Sequence, residues 1–220
     1  MPGFGSIDEV LVKVALLAVM LLVAFPIHEL SHAFAAFRLG DNTARFMGRL
    51  TFDPRAHFDP TGGLLLVITI LFTGFGFGWA KPTPYNPMNL QGGRWGEAIV
   101  AAAGPISNLV LAVLGAIPLR YIVATGMPVP ILTTFLLLFV QINLALMVFN
   151  LVPIPPLDGS KVLFAFLDPR TSWQARQFLT QYGLFILLAA MLLPIFGGNT
   201  LIGLVFNDVL EPISHFLTGL

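Results

Sequence analysis

The sequence has no cysteine and few charged residues. Its 220 residues include 11 Lys and Arg and 11 Asp and Glu, which together make up 10% of the chain. The lack of cysteine excludes disulfide bonds and thiolate metal ligands. The balanced charge offers no basic surface, so we expect no nucleic-acid partner. A soluble domain usually carries about 25% charged residues, so a soluble globular protein is not expected.

Long hydrophobic runs dominate the rest of the sequence. Hydrophobic residues make up 56% of the chain, and the mean hydropathy is +0.86. Several runs approach the roughly 20 apolar residues that a bilayer-spanning helix needs. We distinguish six apolar segments, at about residues 10–37, 62–79, 98–118, 130–152, 174–195 and 200–217. The sequence therefore predicts an all-α, multi-pass integral membrane protein with about five to six transmembrane helices in a lipid bilayer.

The length and the apolar pattern predict one structural unit. We expect a single domain over residues 1–220, with a motif-bearing core at about residues 8–167. Two further C-terminal transmembrane helices are expected at about residues 174–217.

The second apolar segment, at about residues 62–79, is rich in glycine, and its Thr73–Trp79 half has poor helix propensity. Loops rich in Lys and Arg tend to be cytoplasmic. If the first and fourth segments both end inside, all basic residues except Lys13 and Arg120 lie inside and the N-terminus lies outside. Residues 62–96 must then leave the cytoplasmic side of the membrane and return to it. We therefore expect a membrane-embedded strand or re-entrant region there, lining an aqueous site.

The first apolar segment carries the pattern His-Glu-x-x-His at His28, Glu29 and His32. Residues four apart share one helix face, so both imidazoles can bind one ion. Zinc lowers the pKa of a bound water to about 7, and Glu29 is placed to accept its proton. A charge at the bilayer centre costs at least about 2.5 kcal/mol and needs a partner. The pattern predicts a catalytic zinc site, and the alternative is a polar cluster that holds helices together.

A catalytic zinc takes three protein ligands and keeps one position open. We assign the third ligand to Asp158, which follows a proline-rich stretch that cannot continue a helix. The first and fourth segments end on the same side, which brings Asp158 toward the depth of His32. The alternative is that Asp158 only caps a helix at about residues 159–167. His57, in a loop with two Asp-Pro steps, is the rival ligand.

The third apolar segment contains Gly104-Pro105-x-x-Asn108. Small residues let helices approach closely in lipid. The Asn108 amide can donate to a substrate carbonyl or to the oxyanion formed from it, and the alternative is a bond between helices. We interpret Asn143 and Asn150 as structural.

Together these motifs resemble the site-2 protease family of zinc intramembrane proteases. The resemblance rests on the His28–His32 motif, the Gly104–Asn108 motif and the stretch from Asn150 to Gly159, in that order over about residues 20–160. The pattern Lys81-Pro-x-Pro-x-Asn86-Pro87 and the His57 loop are similar to the compact bacterial and archaeal branch. As in that branch, no PDZ or CBS domain is recognisable.

The resemblance implies an endopeptidase with one zinc per chain that cleaves in or near the transmembrane segments of membrane-anchored proteins. By motif, it assigns His28, His32 and Asp158 as the zinc ligands and Glu29 as the general base and acid. It also assigns the substrate contact to Asn108 and accessory positions to His57 and Lys81. It implies a prokaryotic cell membrane with the active site toward the cytoplasm. It also implies strands near Gly74–Trp79 and Lys81–Asn86, whose edge would hold an unwound substrate.

Two other functions are compatible with the histidine pair. A membrane zincin that trims peptides in an aqueous chamber would use a Glu as third ligand, and Glu97 is the position at which to test this. A non-catalytic metal-binding membrane protein, such as a metal carrier, would have no evident use for Glu29.

Overall fold

A computed structural model describes residues 7–73, 78–127, 129–196 and 199–220. The α-helices in these residues are α1 (Ile7–Val19), α2 (Phe25–Arg38), α3 (Thr43–Phe46), α4 (Pro54–His57), α5 (Pro60–Thr73), α6 (Arg94–Thr125), α7 (Pro130–Asn150), α8 (Asp158–Phe166), α9 (Pro169–Leu192), α10 (Leu201–Val205) and α11 (Glu211–Thr218). Single π-helical turns at Met20–Ala24 and Phe206–Leu210 join α1 to α2 and α10 to α11, and a 3₁₀ turn covers Pro87–Asn89. Two short strands, β1 (Pro194–Phe196) and β2 (Asn199–Thr200), pair antiparallel. The prediction of an α-helical protein is confirmed.

Four of the described helices are long and apolar enough to cross a bilayer: Val14–Arg38, Arg94–Thr125, Pro130–Asn150 and Pro169–Leu192. They correspond to the first, third, fourth and fifth predicted segments. The sixth segment is helical as α10 and α11, but it is not among the candidate spans of the described residues. The structure therefore supports a multi-pass membrane protein with four candidate spans, and the predicted count of five to six is not confirmed.

The second predicted segment lies, up to Thr73, in the 14-residue helix α5. At 1.5 Å per residue it extends about 21 Å, which is shorter than the roughly 30 Å hydrocarbon core. Residues 78–86 follow as an extended segment without regular strand pairing. The predicted strand at Gly74–Trp79 lies partly outside the described residues. The membrane-embedded strands are therefore not confirmed, while a short helix followed by an extended segment is compatible with a re-entrant path.

A π-helical turn interrupts the first spanning helix just before the histidine motif. The Phe25 N–H donates to the Met20 carbonyl, five residues earlier. Pro26 has no N–H, so it cannot supply the usual helical bond to the Leu22 carbonyl. Turns of this kind are frequent at functional sites. Here the turn sets the rotation of α2, and with it the face on which the motif lies.

Helix α6 is central to the fold and contacts α2, α7 and α8. Its buried residues Ala112, Ala116 and Leu119 pack against Val140 and Leu144 of α7. Small side chains at such a helix interface allow close packing in lipid. As a result, α6 fixes the position of α2, which carries the two histidines, relative to α8, which carries Asp158.

A buried carboxylate fixes the segment before α6 to the end of α2. Asp41 is fully buried and accepts hydrogen bonds from the Thr43 N–H and hydroxyl, the Asn86 N–H at 2.8 Å and the Asn89 side-chain amide at 3.0 Å. Burial acts to raise the pKa of Asp41, but these bonds outweigh it and hold the pKa below its usual value. Asp41 is therefore ionised at neutral pH and anchors residues 86–89.

Candidate metal centre

Three side chains with metal-ligating atoms meet in the interior, from two helices that are far apart in sequence. His28 and His32 lie on α2, and Asp158 is the first residue of α8. The two Nε2 atoms are 3.0 Å apart, and each lies 3.2 Å from Asp158 Oδ2. All three side chains are buried. The three predicted zinc ligands are therefore brought together.

A chain of hydrogen bonds determines which nitrogen of His28 faces this centre. The Phe139 carbonyl can only accept, so the Asn143 side-chain amide donates to it at 2.8 Å. Asn143 Oδ1 then accepts from Asn108 Nδ2 at 3.0 Å. Asn108 Oδ1 in turn accepts from His28 Nδ1 at 2.6 Å. His28 therefore carries a proton on Nδ1 and, when neutral, directs the lone pair of Nε2 into the centre.

His32 is held in the same tautomer by a backbone group. Its Nδ1 donates to the Val100 carbonyl of α6 at 2.7 Å. Both neutral rings thus turn Nε2 lone pairs toward the Asp158 carboxylate. Three acceptors at this spacing repel one another unless a cation lies among them. Two imidazoles with bonded Nδ1–H groups and one carboxylate are a donor set that fits a single catalytic zinc ion.

Helix α6 leaves room at the centre because residue 104 is a glycine. A Cβ atom built on Gly104 would lie 2.5 Å from Nε2 of both His28 and His32. No side chain fits at that distance without displacing the imidazoles. Gly104 therefore keeps open the space in front of the two ligand nitrogens, a role more specific than the close helix approach that its small size suggests.

The substitution Gly104→Ala is expected to remove zinc from a protein that remains folded. The added methyl group would occupy the space beside both Nε2 atoms, whereas alanine itself favours a helix over glycine by about 1 kcal/mol. Zinc per chain in detergent-purified protein measures the effect. Gly115→Ala in the same helix is the control, because its methyl group would press on Phe139 instead. A full zinc complement in Gly104→Ala would contradict this account.

Asp158 directs its carboxylate to the centre from the start of α8. Leu157 occupies the capping position, so Asp158 is not placed as a simple helix cap. Its Oδ2 lies 3.2 Å from Nε2 of both His28 and His32. To bind a metal, the carboxylate must be ionised. Its second oxygen, Oδ1, lies 3.5 Å from Lys161 Nζ.

Glu29 lies beside the ligands and is half-buried. Its Oε2 accepts a hydrogen bond from the Thr83 N–H at 2.7 Å, and its backbone carbonyl accepts one from the Thr83 hydroxyl at 2.8 Å. The described residues supply no hydrogen bond to Oε1. Glu29 is not one of the three residues whose ligand atoms converge, so its position suits proton transfer rather than metal binding.

The two accessory candidates lie outside the group of ligand atoms. His57 is buried, and its Nε2 donates to the Thr51 carbonyl at 2.9 Å. Its Nδ1 has no hydrogen-bond partner among the described residues. Lys81 is exposed, and its backbone N–H donates to the His57 carbonyl at 2.8 Å. The structure therefore does not bring the rival ligand His57 to the centre, and the two residues instead join the His57 loop to the extended segment.

Asn108 adjoins the centre but is fully buried. Its hydrogen bonds in the described structure are those with His28 and Asn143. These contacts orient a candidate metal ligand, and loss of such an outer contact typically costs about 10–100-fold in metal affinity or activity. The substrate contact of Asn108 stays a prediction.

Glu97, the test position for a glutamate-liganded zincin, is engaged elsewhere. It forms a two-pronged ion pair with Arg176 of α9, at 2.9 and 3.2 Å. Nearby, Arg94 donates to the Leu167 carbonyl at 2.8 Å. These contacts fasten the start of α6 to the start of α9, and Glu97 is not among the residues whose ligand atoms converge.

Two residues that contact this site, Thr83 and Asn143, were not predicted as functional from the sequence. Asn143 was interpreted as structural, and its link to His28 runs through tertiary contacts that no local pattern encodes. A usable signal was present, because a polar side chain deep in an apolar helix needs a partner. For Thr83 the signal is its place between two prolines.

Comparisons of the sequence with known proteins identify its relatives. The profile of peptidase family M50 matches residues 121–192. YwhC of Bacillus subtilis (strain 168), whose name assigns it to the zinc metalloproteases, is 37% identical over 184 residues, covering 81% of this chain and 81% of YwhC. Rip2 of Mycobacterium tuberculosis (strain ATCC 25618 / H37Rv), named in the same way, is 34% identical over 178 residues. Rip2 of Mycolicibacterium smegmatis is 34% identical over 173 residues.

The extent of these matches differs between the relatives. The two Rip2 matches cover 80% and 79% of this chain but 66% and 65% of the Rip2 proteins. No solved structure matches the chain. The match to YwhC extends over four fifths of both proteins, and the chain belongs to peptidase family M50, the site-2 protease family.

Proposed function

We propose that His28, His32 and Asp158 hold the catalytic zinc of this intramembrane protease and that Glu29 moves the protons of peptide hydrolysis. The observation that carries this proposal is the convergence of three acceptor atoms within 3.2 Å of one another. Gly104 keeps the adjoining space open. Zinc held there supplies a Lewis acid that activates water and polarises the scissile carbonyl.

Glu29 carries out the proton transfers. Its Oε1, which accepts no hydrogen bond from the described residues, takes a proton from the water molecule whose oxygen bonds to the scissile carbonyl carbon. Glu29 then gives that proton to the leaving amine nitrogen as the C–N bond breaks. The Thr83 N–H holds Oε2, so the carboxylate keeps one oxygen for transfer. Asn108 and Asn143 keep His28 in the tautomer that a ligand requires.

The substrate is a membrane-anchored protein cut in or near its transmembrane segment. Peptide carbonyls in a helix are bonded internally and shielded, so the segment must unwind before attack. The extended residues 78–86 run past Glu29, which Thr83 contacts. An unwound substrate would lie alongside this segment as an added strand, in the manner predicted for Lys81–Asn86.

The active site lies toward the cytoplasm in this proposal. The end of α2 and the start of α6 lie at one end of the fold, because the Gln91 N–H donates to the Leu39 carbonyl at 2.8 Å. Arg38 and Arg94 lie at that end, as does Arg176, which pairs with Glu97 near the start of α6. This clustering of arginines favours a cytoplasmic location and an external N-terminus. His28 precedes Arg38 by ten residues, or about 15 Å along the helix axis.

Metal removal tests the proposed function. Purified protein in liposomes with a substrate that contains one transmembrane segment is expected to lose cleavage in the chelator 1,10-phenanthroline. Cleavage should return on addition of zinc equimolar to the protein, because three ligands and one open position suffice for catalysis. A serine-protease inhibitor should have no effect. Full cleavage by protein shown to contain no metal would refute the proposal.

A further inference from the structure

The segment Lys81-Pro82-Thr83-Pro84 supplies one backbone donor between two prolines. Proline has no N–H, so the N–H of Thr83 is the only one in residues 82–84. A following proline also restricts Lys81 and Thr83 to extended backbone. This single donor binds Glu29 Oε2 at 2.7 Å, so its direction is set before any substrate arrives.

The other face of the same peptide group meets a buried arginine. Arg49 is only 4% exposed. Its Nη2 donates a hydrogen bond to the Lys81 carbonyl and another, at 3.3 Å, to the Pro82 carbonyl. The Pro82 carbonyl and the Thr83 N–H are two ends of one planar peptide unit. Arg49 therefore lies at the negative end of that peptide dipole and Glu29 at the positive end, and both contacts are favourable.

The charges of Arg49 and Glu29 also act on each other. Burial lowers the pKa of the Arg49 guanidinium, and the charge of Glu29 partly offsets this. Further hydrogen bonds hold the extended segment between Arg49 and Glu29 in place. The Lys81 N–H binds the His57 carbonyl at 2.8 Å, and the Asn86 N–H binds Asp41 Oδ2 at 2.8 Å. The peptide is thus tethered on both sides.

We propose that Arg49 is a positioning residue, which holds the Glu29 carboxylate in place for proton transfer through the Pro82–Thr83 peptide. The inference rests on the proposed role of Glu29. Arg49 touches neither the ligand group nor the reacting atoms among the described contacts. Its effect is expected on the rate of the chemical step, because a displacement of about 1 Å at a reacting group can cost about 10²-fold.

Kinetics of Arg49 variants separate positioning from a merely structural role. Arg49→Gln should lower kcat about 10–100-fold with KM and zinc content unchanged, and Arg49→Lys should recover part of the loss. Arg45→Gln, an exposed arginine of the same loop, is the control and should retain wild-type kcat. A kcat within about threefold of wild type, or loss of zinc together with activity, would overturn the proposal.

A spectroscopic measurement reads the hydrogen bond itself and does not depend on catalysis. In protein labelled with ¹⁵N-threonine, the Thr83 amide proton should resonate downfield, with its assignment given by Thr83→Ser. The resonance should move upfield in Glu29→Ala and also in Arg49→Gln, or in Arg49→Lys if the glutamine variant does not fold. An unchanged Thr83 resonance in the arginine variant would refute the positioning role. Retained cleavage by Glu29→Gln would instead refute the proposed function.

Discussion

Glu29→Gln should abolish cleavage while zinc stays bound at the wild-type level. Glutamine fills the same volume and can still accept the hydrogen bond from Thr83 through its carbonyl oxygen. It cannot take a proton from water at neutral pH. General acid–base catalysis contributes about 10²–10⁴-fold, so we expect a loss of kcat in that range with little change in KM. Cleavage of a membrane-anchored substrate and zinc per chain are the two measurements.

Glu97→Gln is the matched control for this experiment. Glu97 is another glutamate of a spanning helix, but it is buried and pairs with Arg176. Its neutral variant should keep zinc and cleavage, with a lower melting temperature as the expected consequence of the lost ion pair. Cleavage near the wild-type level in Glu29→Gln would remove Glu29 from the mechanism. Loss of zinc in Glu29→Gln would contradict the placement of Glu29 outside the ligand set.

Asp158→Ala and His28→Ala should each lose zinc and, with it, all measurable cleavage. Either substitution leaves two of three ligands, and two facing imidazoles alone do not make a catalytic site. The effect should exceed the roughly 10–100-fold that loss of an outer contact such as that of Asn108 costs. Metal analysis of each purified variant beside the wild type provides the test.

His57→Ala and Glu97→Ala are the controls that separate the alternative third ligands. Both residues lie outside the group of converging ligand atoms, so both variants should retain about one zinc per chain. Zinc retained in Asp158→Ala but lost in His57→Ala would assign the third ligand to His57. Loss of zinc in Glu97→Ala would instead support a membrane zincin whose third ligand is Glu97.

The convergence of the three proposed zinc ligands could be predicted because their chemistry is encoded locally. Helix periodicity alone places His28 and His32 on one face, and a run of prolines before Asp158 predicts where a chain must leave its helix. The prediction that Asp158 lies near the histidines also required the first and fourth apolar segments to end on the same side of the membrane. In the structure Asp158, eight residues after the end of α7, lies 3.2 Å from both histidines of α2.

The hydrogen bonds that orient the proposed ligands could not be predicted in the same way. The chain of bonds from Phe139 through Asn143 and Asn108 to His28 depends on the rotation of α6 against α7. Sequence periodicity restricts that rotation only weakly when apolar residues surround a helix on every side. The role of Arg49 was missed for a similar reason, because a loop arginine is usually solvated and here it is buried against two backbone carbonyls.

The second apolar segment was predicted only in part. The stretch with poor helix propensity, Thr73–Trp79, begins where the helix α5 (Pro60–Thr73) ends, and residues 74–77 of the predicted strand lie outside the described residues. In lipid, backbone groups must bond internally, so apolar residues such as Leu66 and Ile70, both fully buried, favour a helix despite Gly62 and Gly63. The described residues 78–86 are extended, and Pro82 and Pro84 within them supply no backbone donor.

X-ray absorption at the zinc edge of the wild-type protein would identify the ligands of the proposed metal centre. We expect a zinc ion with two imidazole nitrogens at about 2.0–2.1 Å and carboxylate or water oxygens at about 2.0–2.2 Å, with no sulfur. Loss of the zinc signal in Asp158→Ala would complete that assignment. A spectrum with three imidazoles, or a folded wild-type protein without zinc, would contradict it.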